Sequence, residues 1–219
     1  MTIREVLHAF RALYVGGLAQ QQRANGNPNA MPPWAETYWL GRQVVKCPMD
    51  LWVYQELLVE TMPDLVIETG TSGSGSAFFF ATIFDHLGHG AVVTVDKDEY
   101  PALRIKHPRI EYLVGDSVAP EVVHQVAERA AGRRTMLSMD SLHTYPHVAA
   151  ELEAYAGLVS PGCYCVIEDV FYADGEAGGD DPAWGGRAVH EFHERHPEFE
   201  RDLSRERHLM TSNIWLRRV

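Results

Sequence analysis

The chain has 219 residues, of which 46% are hydrophobic and 22% charged, and its formal net charge is −11. This length and composition are typical of one folded α/β domain with a short extension, and they exclude a disordered chain. The acidic balance argues against a nucleic-acid-binding protein. The N-terminus lacks the apolar run of a signal peptide, and no window is long and apolar enough to span a membrane. We therefore expect a cytoplasmic protein whose partners include neither nucleic acid nor a membrane.

The N-terminal part of the chain predicts an extension to the main domain. Apolar side chains recur at helical spacing over residues 1–20, which predicts an amphipathic helix. The polar stretch Gln20–Pro33 predicts a loop or lid, and the aromatic stretch Trp34–Leu40 follows it. These features divide the chain into an N-terminal helical extension and lid over residues 1–45 and a main domain over residues 46–219.

From Met49 onward, helical stretches alternate with short apolar runs that are rich in β-branched residues. A helix is predicted over Met49–Thr61. The runs predict buried strands at Leu65–Glu68, Ala91–Val95, Ile110–Val114, Thr135–Met139 and Cys163–Ile167. Crossover helices are predicted at Ser76–Leu87, Pro120–Ala131 and His147–Leu158. This alternation predicts a parallel, doubly wound sheet that binds ligands at the carboxyl ends of its strands.

The last part of the chain begins with a polar, glycine-rich segment over Val170–Arg187. Because this segment directly follows a predicted strand, we expect an active-site loop there. A helix is predicted over Ala188–His196 and a closing strand over Asn213–Arg218. The cysteines lack the spacing of a zinc site and are expected to pack in the core; they are Cys47, Cys163 and Cys165.

A glycine-rich turn joins the first parallel strand to the next helix, and its sequence from Glu68 to Ser76 is ETGTSGSGS. Glycines allow the backbone to approach a bound cofactor closely, and a helix N-terminus offers free N–H groups to an anion. No Lys-Ser or Lys-Thr pair follows the glycines, so the turn is not a Walker motif. A nucleotide, a phosphate, S-adenosylmethionine or a tight turn without a ligand all remain possible at this point.

Acidic residues at the next two strand ends narrow this choice. Asp96 ends the second strand, where a carboxylate can accept hydrogen bonds from ribose hydroxyls in NAD enzymes and in methyltransferases alike. Asp116 follows the third strand and precedes Ser117, where a carboxylate or its neighbouring backbone can meet an adenine ring. NAD-binding folds have no equivalent requirement there, so the pair favours S-adenosylmethionine.

A second group of acidic residues lies after the fourth and fifth strands, with Asp140 after the fourth and Glu168-Asp169 after the fifth. Neighbouring strands would bring these carboxylates to one edge of the sheet, where like charges repel. A divalent cation would remove that repulsion, and oxygen ligands suit Mg²⁺, Ca²⁺ or Mn²⁺. Helix caps or solvated acids are the alternative. His143 lies three residues past Asp140 and could accept a proton from a metal-bound hydroxyl.

A series of sequence blocks between Lys46 and the C-terminus carries a family resemblance. The blocks are Lys46–Glu56, Pro63–Thr71, Gly115–Ser117, Asp140–His143, Glu151–Tyr155 and Gly162–Asp169. In order and spacing the chain resembles the family known as cephalosporin hydroxylases. That family includes metal-dependent O-methyltransferases that act on antibiotic and macrolide sugars, among them rhamnosyl O-methyltransferases. The sequence shows no sign of the two-histidine-one-carboxylate site of an iron oxygenase.

The resemblance implies a Rossmann-like class I methyltransferase fold, with a mostly parallel, doubly wound sheet and an antiparallel C-terminal strand. It implies S-adenosylmethionine and Mg²⁺ as cofactors, with the metal on Asp140, Glu168 and Asp169. His143 is the implied general base, and Asp140 acts with it in catalysis. The implied cofactor-binding residues are Glu68, Gly70, Thr71, Ser76, Asp96, Asp116, Ser117 and Asp140. The resemblance also implies a homo-oligomer.

The predicted reaction is Mg²⁺-dependent methyl transfer to a hydroxyl of a small molecule. A sugar or another vicinal-oxygen group of a secondary metabolite is the first choice of acceptor, and a catechol is the second. An NAD-binding oxidoreductase and a non-catalytic biosynthetic partner remain alternatives. Several aromatic side chains are candidates for stacking on the acceptor, although packing between the extension and the domain is favoured for Trp39 and Trp52. The stacking candidates are Trp34, Tyr38, Trp39 and Trp184.

Overall fold

A computed structural model describes residues 13, 17–99, 104–170, 185–205 and 213–219. Its centre is a seven-stranded sheet with the order β5-β4-β3-β6-β7-β9-β8. The strands are β3 (Leu65–Thr69), β4 (Ala91–Asp96), β5 (Ile110–Val114), β6 (Thr135–Met139), β7 (Tyr164–Ile167), β8 (Phe199–Arg201) and β9 (Ile214–Arg218). A separate two-stranded hairpin pairs β1 (Tyr38–Trp39) with β2 (Arg42–Gln43).

The strands from β5 to β7 are parallel, and β9 pairs antiparallel with β7 and with β8. Every residue of β3, β6 and β7 is buried, as expected of central strands that are covered on both faces. β3 lies between β4 and β6, so the strand order reverses at β3. This is the mostly parallel, doubly wound sheet with an antiparallel C-terminal strand that the sequence predicts.

The helices are α1 (Leu18–Ala24), α2 (Pro48–Thr61), α3 (Gly75–Leu87), α4 (Pro120–Ala130), α5 (Tyr145–Tyr155) and α6 (Gly185–Arg195). Short 3₁₀ turns cover Pro33–Glu36 and Ala156–Leu158. α2 packs against α3, whereas α5 packs against both α4 and α6. Right-handed crossovers on either side of the reversal place these two groups of helices on opposite faces of the sheet. Within the described part of the chain, no helix is both long and apolar enough to cross a membrane.

The structure differs from the sequence-based prediction in the N-terminal part. α1 continues to Ala24, although the stretch from Gln20 was predicted to be a loop. Glutamine, arginine and alanine favour the helix, and it stops where Gly26 adopts a φ of 97°. Most of the predicted helix over residues 1–20 lies outside the described residues. β8 and the β1–β2 hairpin were not predicted, because two or three residues carry too little periodicity to identify a strand.

Aromatic side chains join α2, α3 and β9 in the core. The Tyr54 ring lies edge-on to Phe80 and to Trp215, with centroids 5.0 Å apart in both pairs. Trp39 packs on the domain as expected, since its ring meets Phe79 and its Nε1 donates a hydrogen bond to Thr82. The same expectation for Trp52 is wrong, because this side chain is 62% exposed on α2. All three cysteines are buried, which confirms their predicted packing.

Candidate active site

The glycine-rich turn after β3 lies directly against the end of β6. Gly70 has a φ of 90°, and a Cβ atom built on it would lie 1.9 Å from the backbone carbonyl oxygen of Asp140. The turn stays bonded to the sheet on its other side, where Gly70 N donates to the Val95 carbonyl. Only glycine permits both this conformation and this approach. The turn and the end of β6 therefore form one continuous surface at the carboxyl edge of the sheet.

Glu68 lies beneath this turn and is completely buried. Thr94 Oγ1 donates to Glu68 Oε2 over 2.6 Å, and Thr94 in turn shares a hydrogen bond of 2.7 Å with Thr71. Burial raises the pKa of Glu68 to about 7, although Lys46, Ser76 and Thr94 act in the opposite direction. Glu68 thus supports the turn from inside the domain, while Thr71 and Ser76 are buried within the turn and the first turn of α3.

Some buried oxygens of this region have no hydrogen-bond partner among the described residues. They are Glu68 Oε1, Thr69 Oγ1 and Ser74 Oγ. Buried polar atoms are normally paired, so partnerless oxygens around a glycine-rich turn fit a site that takes a polar ligand. S-adenosylmethionine fits such a site, since its amino group and ribose hydroxyls can donate hydrogen bonds and its carboxylate can accept them from hydroxyl groups.

Asp96 and Asp116 lie at the ends of β4 and β5, as predicted. Asp96 Oδ2 accepts a hydrogen bond of 2.9 Å from the backbone N–H of Ser72, so this carboxylate fixes the glycine-rich turn. Asp116 is exposed and caps its own turn through the Val118 N–H. β4 pairs with β3 and β5 along one edge of the sheet, which places both acids on the same side as the turn.

Ser117 belongs to a buried cluster that links the β5 end with the loop after β6. Glu151 Oε1 on α5 accepts hydrogen bonds from Ser117 Oγ at 2.5 Å and from Ser141 Oγ at 2.9 Å. His147 Nε2 lies 3.4 Å from the same carboxylate, and the hydrogen bond with Glu151 raises the pKa of His147. Tyr155 also donates to the Ser117 carbonyl. α5 therefore holds the loops after β5 and β6 in a fixed relation.

Asp140, His143 and Asp169 form a group whose ligand atoms all lie within 4.8 Å of one another. His143 Nε2 is 3.6 Å from Asp140 Oδ1 and 3.9 Å from Asp169 Oδ2. Asp169 has a φ of 54°, and its N–H donates to the side chain of Asn213, which precedes β9. A non-glycine residue held in this region of φ is strained and needs such support. The two carboxylates offer the oxygen ligands that suit a hard divalent cation, and the imidazole of His143 lies beside them.

Glu168 lies beside this group but contacts other side chains. Its Oε1 accepts hydrogen bonds from Tyr54 Oη at 2.7 Å and from Ser138 Oγ at 3.0 Å. Its Oε2 lies 2.7 Å from Lys46 Nζ, which is also 2.6 Å from Asp140 Oδ2. Adjacent strands do bring the predicted acids to one edge, as β6 pairs with β7. A lysine ammonium, however, lies between Asp140 and Glu168.

Lys46 was not among the predicted site residues. It precedes α2 and is 4% exposed. Burial alone would lower the pKa of Lys46, but the negative charges of Asp140, Glu168 and Glu68 outweigh burial and raise it above its ordinary value. Asp50, on the first turn of α2, is also buried, and burial raises the pKa of its carboxyl well above the usual range. The sequence did carry a signal for this residue. Lys46 is one of only a few lysines in the chain, and it begins the block Lys46–Glu56 that resembles the family.

Part of the predicted site lies outside the described residues. Residues 171–184, which include most of the predicted active-site loop and Trp184, are not described. Of the other stacking candidates, Tyr38 is 62% exposed and Trp34 is half-buried. Trp39 packs on the domain and donates a hydrogen bond to Thr82, so its role is structural.

Comparison with known proteins gives a family match over residues 32–219, to the family described as rhamnosyl O-methyltransferase/CmcI. A rhamnosyl O-methyltransferase of Mycobacterium leprae (strain TN) is 37% identical over 142 residues, which are 62% of this chain and 61% of the relative. The chain thus matches less than two thirds of that relative's length.

Solved structures show the same fold at lower identity. A Mg-SAM structure of CmcI superimposes with a TM-score of 0.67 at 20% identity, over 90% of this chain and 84% of the other. The MycE methyltransferase from the mycinamycin biosynthetic pathway, in complex with Mg and SAH, gives a TM-score of 0.55 at 18% identity, over 76% of this chain and 48% of the other. These likenesses establish a methyltransferase fold for the chain.

Proposed function

Because this chain belongs to the rhamnosyl O-methyltransferase/CmcI family, we propose that it catalyses methyl transfer from S-adenosylmethionine to a hydroxyl of a small molecule. The reaction depends on a divalent cation, and Mg²⁺ is the proposed ion. The acceptor is a sugar or another vicinal-oxygen group of a secondary metabolite. The observation that carries the proposal is the grouping of Asp140, His143 and Asp169 within 4.8 Å, beside the glycine-rich turn.

The cofactor supplies a methyl group on a sulfonium, which is a strong electrophile. The turn after β3 is the proposed place for it, since the backbone there is open to close approach at Gly70 and has buried oxygens without partners. Asp96 is the proposed acceptor for ribose hydroxyls, and the loop with Asp116 and Ser117 the proposed adenine site. The other residues proposed to surround the cofactor are Glu68, Thr71, Ser76 and Asp140.

A divalent cation held here would supply positive charge that favours loss of the proton from the acceptor hydroxyl. Asp140 and Asp169 are proposed to hold it from the ends of β6 and β7, with Glu168 as the third ligand. His143 is proposed to accept the proton of the acceptor hydroxyl, because its Nε2 lies within 4 Å of both aspartates. Asp140 and Asp169 both approach the same ring nitrogen of His143, so they are also proposed to keep its Nε2 directed at the metal site.

The domain division belongs to the same proposal. Residues 46–219 form the proposed methyltransferase domain, and residues 1–45 the proposed extension that covers the acceptor. Its support is the approach of the β2 region to the cofactor turn, where Gly75 lies against the backbone of Gln43 and Val44. A homo-oligomer is proposed as the assembly, on the family resemblance alone.

The test is methyl transfer from labelled S-adenosylmethionine to a rhamnosyl glycoside, with Mg²⁺ and with EDTA. We expect transfer with Mg²⁺ only, and a loss of at least about 100-fold in Asp140→Asn, because one mutation removes a proposed metal ligand and a restraint on His143. Glu128→Gln, on the exposed side of α4, is the matched control and should retain activity. Equal transfer with EDTA, or in the Asp140 variant, would contradict the proposal.

Other outcomes distinguish the alternatives. Transfer to a catechol but not to the glycoside would show that the acceptor is a catechol, and the proposed methyl transfer would stand. NAD binding without S-adenosylhomocysteine binding would overturn the proposal in favour of an oxidoreductase. Cofactor binding with no turnover of any vicinal diol would indicate a non-catalytic partner.

A further inference from the structure

Lys46 is a buried ammonium bound to two of the proposed metal ligands. Its Nζ lies 2.6 Å from Asp140 Oδ2 and 2.7 Å from Glu168 Oε2, and its side chain is 3% exposed. The partners follow it by 94 and 122 residues in sequence, so the fold itself assembles this contact. Both pairs have the length of a charge-assisted hydrogen bond. The contact is therefore a built ion pair inside the domain and not a surface encounter.

The remaining oxygens of these carboxylates face different surroundings. Glu168 Oε1 is held by Tyr54 and Ser138, so neither oxygen of Glu168 is free of a donor. Asp140 Oδ1 faces His143, on the side of Asp169. Lys46 therefore binds one oxygen of Asp140 and one of Glu168, whereas the other oxygen of Asp140 is directed at His143 and Asp169.

The positive charge of Lys46 determines its role among these carboxyl groups. Asp140, Glu168 and Asp169 bring three carboxyl groups to this edge of the sheet, and Lys46 brings one ammonium, which contacts two of them. A metal ion that takes Asp140 and Glu168 together as ligands must compete with the lysine for Asp140 Oδ2 and Glu168 Oε2, because a single oxygen lone pair cannot serve both cations well.

On the basis of the proposed metal site, we infer that Lys46 is an internal counter-ion that competes with the divalent cation for Asp140 and Glu168. It is a positioning residue, since it acts on the reaction through these carboxylates. It keeps the cluster assembled without a metal, and it weakens metal binding so that the ion is exchangeable. Tyr54 and Ser138 keep Glu168 in place when Lys46 releases it.

Mn²⁺ binding, followed by electron paramagnetic resonance of the free ion, tests this inference in the full chain. Lys46→Met removes the charge and keeps most of the side-chain volume. We expect it to bind Mn²⁺ at least about tenfold more tightly than the wild type, because the competing cation is gone. In EDTA the melting temperature of Lys46→Met should be lower than that of the wild type. Added Mn²⁺ should raise the melting temperature of the variant by more than it raises that of the wild type. Lys46→Arg keeps the charge and should gain no affinity, and Lys106→Met, at an exposed lysine, is the matched control.

A folded Lys46→Met protein with wild-type or weaker Mn²⁺ affinity would overturn the inference. If the variant unfolds in EDTA, its recovery by Mn²⁺ supports competition, and failure to recover at saturating Mn²⁺ contradicts it. A merely structural lysine would lower the melting temperature without raising the metal affinity. A wild type that binds no Mn²⁺ would instead remove the proposed metal site itself, so the two failures are distinguishable.

Discussion

Glu68 shows how a single buried side chain can link the sheet to the cofactor turn. It has no exposed surface, and Thr94 donates a hydrogen bond to its Oε2. Burial disfavours the charged carboxylate, so the pKa of Glu68 rises from 4.5 to about 7. The folded protein therefore keeps a proton on Glu68 over a range of pH in which the unfolded chain has lost it.

This difference predicts a dependence of stability on pH. Because the pKa of Glu68 is higher in the folded state, its contribution is present below about pH 4.5 and is lost as the pH rises through about 7. Between pH 5 and 8 the wild type should lose up to about 3 kcal/mol of unfolding free energy relative to Glu68→Gln, which cannot ionise. Urea unfolding of both proteins in EDTA measures the difference. If the difference in unfolding free energy between the two proteins stays constant from pH 5 to 8, Glu68 is not a buried carboxyl with a raised pKa.

The candidate site was only partly predictable at the scale of single residues. Asp140 and Glu168 were recognisable because each directly follows an apolar run that predicts a buried strand, and Asp169 is the next residue after Glu168. Lys46 was not, since its partners lie 94 and 122 residues further along the chain. The sequence predicted repulsion among the acids, to be relieved by a divalent cation or avoided by capping or solvation. It did not predict a lysine, because sequence spacing cannot show a side chain that arrives from another element. Glu168 was predicted as a site residue, but its hydrogen-bond donors Tyr54 and Ser138 were not predicted.

At the scale of elements, the site depends on close backbone contacts between separate segments. The turn after β3 touches the end of β6 at Gly70, and the start of α3 touches the β2 region at Gly75. A Cβ atom at either position would lie about 2 Å from a backbone carbonyl oxygen, on Asp140 and Gln43 respectively. Since backbone cannot move aside as a flexible side chain can, these glycines determine how the segments meet.

Gly70→Ala is therefore expected to destabilise the protein by about 2 kcal/mol or more, through the positive φ and the contact with Asp140. It should also weaken the binding of S-adenosylhomocysteine, since the turn would be displaced from the end of β6. Gly73→Ala is the matched control in the same turn, because nothing lies within 4 Å of a Cβ atom there. Chemical unfolding and calorimetric binding measure both effects. Equal stability of the two variants would show that the contact at Gly70 is unimportant.

Strands of four or more residues were predictable, and the shorter strands β1, β2 and β8 were not. β5 and β6 have the predicted bounds, because clear breaks flank both segments. The predicted burial of β5 is wrong, since only Leu113 is buried in this edge strand. α5 begins at Tyr145, two residues before the prediction, because Pro146 fits the first turn of a helix and its missing N–H is not needed there. β8 has only three residues, and its pairing with β9 is a long-range property that its own sequence does not carry.

At the scale of the whole molecule, the order of the strands creates the site. Parallel pairing brings the carboxyl ends of β3, β4, β6 and β7 to one edge of the sheet, and the reversal at β3 opens a crevice between the loops that follow them. The cofactor turn, Asp96 and the Asp140–Asp169 group all lie along that edge, so one fold supplies both a proposed cofactor site and a proposed metal site. The antiparallel β9 lies between β7 and the edge strand β8, and Asn213 in front of it supports Asp169.

The most direct test is the anomalous scattering of Mn²⁺ in crystals grown with S-adenosylhomocysteine. We expect one strong peak at bonding distance from carboxylate oxygens of Asp140 and Asp169, with the cofactor product along the turn at Gly70. The acceptor side of the metal should be open toward His143. A peak elsewhere, or no peak at an Mn²⁺ concentration that saturates binding in solution, would contradict a metal-dependent methyltransferase site at this edge.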